Sequence, residues 1–480
     1  MIRKLRLRNF KAFQDTGYIE LRPITVLAGP NSGGKSTILQ SLLLLKQTLE
    51  SGSPDLELNL DGRFLQFSGL DELTFGKPPL EECSVAYEIE FESRMPRGAV
   101  PGYYPDLLVP EGVESIPLHS RLELIFGSGK TEGGKPTVMV RRFDMTSWAQ
   151  DQDTPRPRLS ITATDDGYSV TMEDVDLPGP FVGREFEGWA ARNFLPTYLF
   201  VRAAVDEESE RPSAVEVDPI FRFPLSHLED YLRRGVTYLG PLRQEPRRAY
   251  PHSGSPFPEI GDRGEAAPQM LWLERDESVR YRQRAGDEYR EVTLLDAVRD
   301  AFELLGITQA IDVKSVEGVV YQILFGLKGW GDEKHVTIAD VGFGVSQLLP
   351  IVVMSLRSSD SPLLLFEQPE IHLHPRAQAG LADFFLSLDL SERRLVVETH
   401  SDHFINRLRR RIAEDPTDQL REDVGILFVL PPQDGRGATV EQLRVDRYGV
   451  IENWPAEFLP ESADEAEAIF RAGLEKRGVR

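Results

Sequence analysis

Ile24-Thr25-Val26-Leu27-Ala28-Gly29-Pro30-Asn31-Ser32-Gly33-Gly34-Lys35-Ser36-Thr37 is the stretch from which the architecture can be worked out. Its first five residues are apolar or β-favouring and run directly into a glycine-rich loop. Thr37 to Leu45 follows, apolar on more than one face and free of proline and glycine. Strand, loop and well-buried helix are therefore expected in that order. Gly29 to Ser36 satisfies GxxxxGK[ST], in which glycines let backbone N–H groups approach phosphate oxygens, the lysine reaches the β and γ phosphates, and the hydroxyl binds magnesium. Gly29, Asn31, Ser32, Gly33, Gly34, Lys35, Ser36 and Thr37 are thus the candidate phosphate-binding residues. A chance glycine-rich turn is the plain alternative, and the position between an apolar strand and a buried helix argues against it.

Outward from this loop, three short continuous apolar runs stand near the other end: Leu363-Leu364-Leu365-Phe366, Leu395-Val396-Val397-Glu398 and Ile426-Leu427-Phe428-Val429. Such runs, separated by helical stretches, mark a buried parallel sheet. The first ends in Glu367-Gln368-Pro369-Glu370, and a carboxylate at a strand tip can hold magnesium, usually through water. The second ends in Glu398-Thr399-His400-Ser401, which puts an imidazole beside Glu367 and in reach of a terminal phosphate. Between loop and acidic strand, Gly342, Gly344 and Ser346 stand directly before the apolar helix LLPIVVMSL. That serine is either a helix cap or part of an anion-holding N-terminus. Ile371-His372-Leu373-His374 spaces two histidines for one side of an extended segment; with no third ligand nearby, a structural or interface role is favoured over a metal site.

A helical pattern through LLDAVRDAFELLG and a β run at VVYQILFGL fill the region from about residue 291. From about 84 to 200 the texture differs: SVAYEIEFE, RLELIFG, TVMVRRF and RLSITATDDGYSVTM alternate apolar and polar residues between turn-rich clusters, as antiparallel strands do. Segments near 212–220 and 251–268, rich in proline, glycine and charge, read as loops or linkers. No sustained heptads indicate coiled-coil arms.

The chain has 480 residues, 40% hydrophobic and 28% charged, with a net charge of −22 and one cysteine, Cys83. That length calls for a large domain with an insertion, or two to three domains. No run approaches the ~18 apolar residues of a membrane span, and the basic N-terminus lacks the apolar segment of a secretion signal. A cytoplasmic protein is expected, with Cys83 as a small buried residue. The acidic balance opposes nonspecific binding to nucleic acid, so DNA could be held only at a local basic patch. Arg407-Leu408-Arg409-Arg410-Arg411 is the best patch, although a charge run ordinarily forms a solvated face paired with acids.

The four elements, in this order, resemble the ATP-binding-cassette (ABC) type of ATPase head, in its overcoming-lysogenization-defect (OLD) and recombination-repair branch. The likeness covers roughly 1–75 and 236–430. It implies an α/β P-loop fold: an ATPase head in two parts (1–75 and 236–435), a mainly antiparallel β insertion (76–235) and a short α+β C-terminal module (436–480). By that resemblance Glu367 is the magnesium carboxylate, His400 the switch histidine, and Gly342, Gly344 and Ser346 the signature loop that completes a partner's site. Two ATP molecules, with Mg2+, would then be sandwiched in a homodimer or higher oligomer. Gln66 falls where such heads carry a magnesium-sensing glutamine. The tail at Gly449-Val450-Ile451-Glu452-Asn453-Trp454-Pro455 resembles a module of unknown function fused to bacterial ATPases of this kind, and Arg243, in Gly240-Pro241-Leu242-Arg243, is either a phosphate-charge stabiliser or a salt-bridge partner.

Two departures from that pattern stand out. Where a cassette head carries the glutamate that orients the attacking water, this chain has Gln368, an amide that cannot act as a base. Glu370 is the expected substitute, with low turnover. The second is the nuclease domain of the OLD branch: about fifty residues follow Val429, without a DxD pair. The chain is therefore expected to cut nothing itself. Two functions follow: an ATPase whose nucleotide-switched dimerisation controls DNA-linked activity in repair or antiphage defence, or a scaffold with little hydrolysis that holds a separate nuclease or toxin.

Overall fold

Ile24–Ala28 is buried along its whole length and lies inside a six-stranded sheet. Across that sheet the order is Val236–Leu239, Leu363–Glu367, Arg394–Glu398, Ile24–Ala28, Val424–Leu430 and Thr439–Leu443. The first five run parallel, and the last pairs antiparallel at the edge. This computed structural model describes residues 1–96, 114–130, 136–149, 156–165, 167–173, 186–201, 213–252, 259–284, 286–307, 311–326, 335–357, 362–433 and 435–454.

The apolar runs are continuous because both faces of this sheet are covered. Successive side chains point to opposite faces, and the strands sort residue by residue into two cores. Leu27, Leu363, Leu365, Val396, Leu427 and Val429 pack into one, with helices Lys35–Leu49 and Pro219–Arg233. Ile24, Val26, Leu364, Phe366, Val397 and Phe428 pack into the other. There they meet helices Ala267–Glu274, Leu294–Leu304, Phe343–Leu356, Pro375–Ser387 and Asp402–Glu414.

A second, eleven-stranded sheet closes the first core from outside, and every pairing in it is antiparallel. It contains the alternating runs between 84 and 201, and also Ile2–Phe10, Phe13–Asp15 and Ile19–Glu20. Its inward residues Tyr87, Ile89, Phe91, Leu122, Leu124 and Phe126 share the core of helix Lys35–Leu49. The Tyr87 hydroxyl donates to the Ser41 carbonyl at 3.3 Å, tying sheet to helix. The turn at Lys11 and Ala12 is held from two sides. Lys11 N–H donates to Leu73 O at 2.6 Å, and Ala438 N–H donates to Ala12 O at 2.8 Å. Gly437 is needed there, since a Cβ would meet the Gln14 nitrogen at 2.6 Å.

Three local expectations are corrected. Of the stretch near 212–220, the described residues 213–220 are not simply a loop: Ser213–Glu216 is a strand paired with Leu195–Val201, and Pro219 opens a helix. Asp218 caps that helix by accepting from Ile220 N–H at 2.9 Å, and proline is favoured at a first helical position because its missing N–H is not needed there. The second linker, 251–268, overlaps helix Ala267–Glu274; residues 253–258 lie outside the described residues. The apolar helix near Ser346 also starts earlier than expected, at Phe343 with Gly342 as its cap, so Gly344 and Ser346 lie inside its first turns. Gly344 is required by packing: a Cβ would meet the His372 carbonyl at 2.7 Å.

No helix among the described residues is long and apolar enough to cross a membrane. Cys83 is free and buried. Leu364, 0% exposed in the central sheet, is a direct test of the layer order. Leu364→Ala should lower stability by about 2–5 kcal/mol in urea unfolding.

Candidate functional site

All five parallel strands end on one edge, and there the chain forms a cleft of about 730 Å³. Gly29 enters it with φ 137°, in the left-handed region; a Cβ there would lie 2.4 Å from Val429 O. Gly34, at φ 105°, caps helix Lys35–Leu49. Asn31, Ser32, Gly33, Gly34, Lys35, Ser36 and Thr37 line the cleft, facing Gln368, Glu398 and His400. The helix N-terminus and loop amides give this end a positive character. The Lys35 ammonium folds back on its own loop, donating to Gly29 O at 3.0 Å and Pro30 O at 2.7 Å. Burial holds its pKa below the ordinary value, opposed by Glu398 and Glu370. The far end is lined by Lys11, Ala12, Phe67 and Phe75. Lys11 donates to Gln40 Oε1 at 2.7 Å, with its ammonium 5.0 Å from the Phe67 ring centre.

The acid chemistry sits on two neighbouring strand tips. Glu367 and Glu398 are register partners. The Tyr238 hydroxyl donates to Glu367 Oε2 at 2.6 Å, and the Ser36 hydroxyl donates to Glu398 Oε1 at 2.9 Å. Glu398 is 2% exposed and its Oε2 has no hydrogen-bond partner. Burial, then the Glu367 charge, pushes its pKa up to about 7, while Ser36 and Lys35 pull it down. In the sequence Glu398 is marked only as the last residue of an apolar strand. The adjoining Ser36 could not be seen in the sequence, because the contact joins residues 362 positions apart.

Glu370, the expected base, does not line the cleft. Its Oε1 accepts from His400 N–H at 2.7 Å, and burial raises its pKa. The turn after the strand carries it under the His400 backbone. Gln368 stays in the cleft at φ 44°, its N–H donating to Glu398 O at 2.8 Å. Arg243, 4% exposed, donates to Gln368 O at 3.3 Å. Burial lowers its pKa to about 10, opposed by the Glu370 charge. The His400 imidazole, lowered by burial and then by Lys35, is neutral at pH 7.

The remaining candidates lie elsewhere. Gln66 is exposed and outside the cleft, because the chain turns its neighbours Leu65 into the core and Phe67 into the cleft wall. Gly342, Gly344 and Ser346 are not among the lining residues. His374 caps helix Pro375–Ser387, its Nδ1 accepting from Arg376 N–H at 3.3 Å, while His372 is exposed. In the basic run, Arg407 and Arg411 grip Asp383 at 2.5 and 2.7 Å, and Arg410 pairs with Glu414 at 2.7 Å. Arg409 donates to Gly449 O at 2.8 Å, with its guanidinium 5.0 Å from the Trp454 ring centre. These arginines therefore form a paired face. Pro455 lies outside the described residues.

The residues suit magnesium and a nucleotide. Ser36, Glu367 and the unpartnered Glu398 Oε2 offer hard oxygen ligands. Among the described residues no group of three or more His, Cys, Asp or Glu could hold a metal ion.

A parallel sheet whose tips hold a glycine loop, lysine and carboxylates defines a P-loop ATPase-type domain. Residues 1–86 and 282–405 match the family model described as AAA ATPase domain. No curated protein matches the chain in sequence. Three solved structures are similar over most of its length. The SmcHead bound to the C-winged helix domain of ScpA shows 13% identity and a TM-score of 0.41, covering 93% of this chain and 98% of that one. The SMC head domain from Thermotoga maritima shows 11% and 0.36, covering 92% and 99%. The Smc head domain with an extended coiled coil, bound to the C-terminal domain of ScpA derived from Pyrococcus furiosus, shows 12% and 0.36, covering 98% and 99%.

The raised pKa of Glu398 has a measurable sign. Its stabilising share is full below about 4.5 and is lost as pH rises through about 7. In EDTA, Glu398→Gln should melt with the wild type at pH 4 and above it at pH 8. A melting difference that does not change with pH would contradict this.

Proposed function

We propose that the chain binds ATP with magnesium in this cleft, hydrolyses it slowly, and dimerises around it to control an effector or a DNA-linked activity in repair or antiphage defence. The observation that carries the reading is the meeting of Lys35, Ser36, Gln368, Glu398 and His400 in one cleft. Lys35 leaves its own loop carbonyls for the β and γ phosphates, while the amides of Gly33, Gly34, Lys35 and Ser36 hold the α and β phosphates. Magnesium bound there would supply positive charge to offset that of the phosphates. Ser36 and Glu367 hold it, the neutral His400 donates toward the γ phosphate, and Phe67 and Phe75 shelter the base.

Glu370 acts on the cleft through the His400 backbone, as a positioning residue. The helix-start segment of Gly342, Gly344 and Ser346 lies outside its own cleft, as an element serving a second copy would. The division at 75, 235 and 435, a cytoplasmic location, and a chain without nuclease chemistry belong to the same proposal. The OLD-like branch and the tail module rest on resemblance.

Gln368 favours a second reading, a nucleotide-gated scaffold for a separate nuclease or toxin. Its amide accepts no proton from water, so ATP would stay bound. Turnover with and without DNA separates the two. Stimulation by DNA supports the first, and stable occupancy without turnover the second.

Lys35→Ala should weaken binding of a fluorescent ATP analogue at least tenfold, and unchanged binding would reject the site. Gln368→Glu should raise the hydrolysis rate by about 10²-fold or more, in the range of general-base assistance. Light scattering should show ATP-dependent dimers of wild type that Ser346→Arg abolishes.

A further inference from the structure

The strand tips at the cleft edge carry one more acid than the proposed task requires. Lys35 is the cation that lines the phosphate end, while Glu367 and Glu398 stand side by side in register on adjacent strands. Glu370 and Arg243 are buried behind them and answer each other's charge. Glu367 Oε2 is occupied by the Tyr238 hydroxyl and Glu398 Oε1 by the Ser36 hydroxyl. Glu398 Oε2 is buried and has no hydrogen-bond partner. A buried carboxylate oxygen without a donor is costly, and so are two parallel carboxylates at adjacent tips. Lys35 relieves the pair only in part: its charge draws on Glu398, but its ammonium donates to Gly29 O and Pro30 O and gives no hydrogen bond to either carboxylate. A hard divalent cation relieves both costs, drawing on Glu398 Oε2, the free oxygen of Glu367 and the Ser36 hydroxyl, with water in its remaining positions.

We propose that Glu367, Glu398 and Ser36 form a two-carboxylate site that takes up a divalent cation before nucleotide arrives, with Glu398 as an essential ligand. In P-loop proteins that rely on a single acid, the metal enters largely with the phosphates. Here a second carboxylate touches the loop hydroxyl directly, so the protein itself supplies enough anionic oxygen to hold the ion. ATP would then meet a charged metal, which offsets the repulsion its phosphates would feel from Glu367 and Glu398. The proposal rests on the nucleotide-site reading for its place in the reaction; cation uptake itself does not depend on ATP.

Mn2+ serves as the probe, followed by electron paramagnetic resonance on the full chain without nucleotide. Wild type should bind one Mn2+ per chain, and Glu398→Gln should weaken that binding at least tenfold. Glu398→Asp, which keeps a carboxylate, should retain part of it, and circular dichroism of all three proteins checks folding. Lys35→Ala should lose ATP-analogue binding and keep Mn2+ binding. Absence of nucleotide-free Mn2+ binding, or equal affinity in Glu398→Gln, overturns the metal site. Mn2+ bound by a wild-type chain that ignores ATP would keep the cation site and defeat the nucleotide reading.

Discussion

Parallel pairing in register is the constraint on which the rest of the molecule depends. Once Leu363–Glu367, Arg394–Glu398 and Ile24–Ala28 align side by side, their tips share one edge, and the loop, both carboxylates and His400 are delivered together. The alignment is paid for by hydrophobic burial on both faces. The same alternation that sends Leu363 and Leu365 to one core sends Leu364 and Phe366 to the other. A one-residue slip would exchange the two faces and separate Glu367 from Glu398. Electrostatic discomfort at the tips is thereby imposed by packing far from them.

Much of this order was legible in the chain. Continuous apolar runs, a glycine loop and alternating strands are local patterns, and each corresponds to an observed element of the described structure. What escaped was of two kinds. Long-range contacts carry no local signal, and the hydrogen bond from Ser36 to Glu398 and that from Tyr238 to Glu367 belong here. Turn geometry was the other. Whether Glu370 swings into the cleft or under the His400 backbone depends on the left-handed turn at Gln368, at φ 44°, which a non-glycine residue seldom adopts and sequence does not announce. Proline-rich composition also misled at Pro219, because the residue that breaks a helix interior also starts one well.

The basic run shows how composition and structure divide a question. Five residues carrying four arginines read as a patch for an anion. In the fold, Asp383 and Glu414 take three of those guanidiniums and the fourth lies beside Trp454, so the charge is spent within the protein. An acidic chain uses its arginines first on itself.

The outer sheet is more than a cover. Ile2–Phe10 is one of its strands, and the turn that follows, at Lys11 and Ala12, is a wall of the cleft, clamped in turn by Leu73 and Ala438. The antiparallel sheet, the C-terminal hairpin and the ligand cavity are therefore joined in series at two residues. Both large sheets of the molecule thus meet at a turn that lines the cleft.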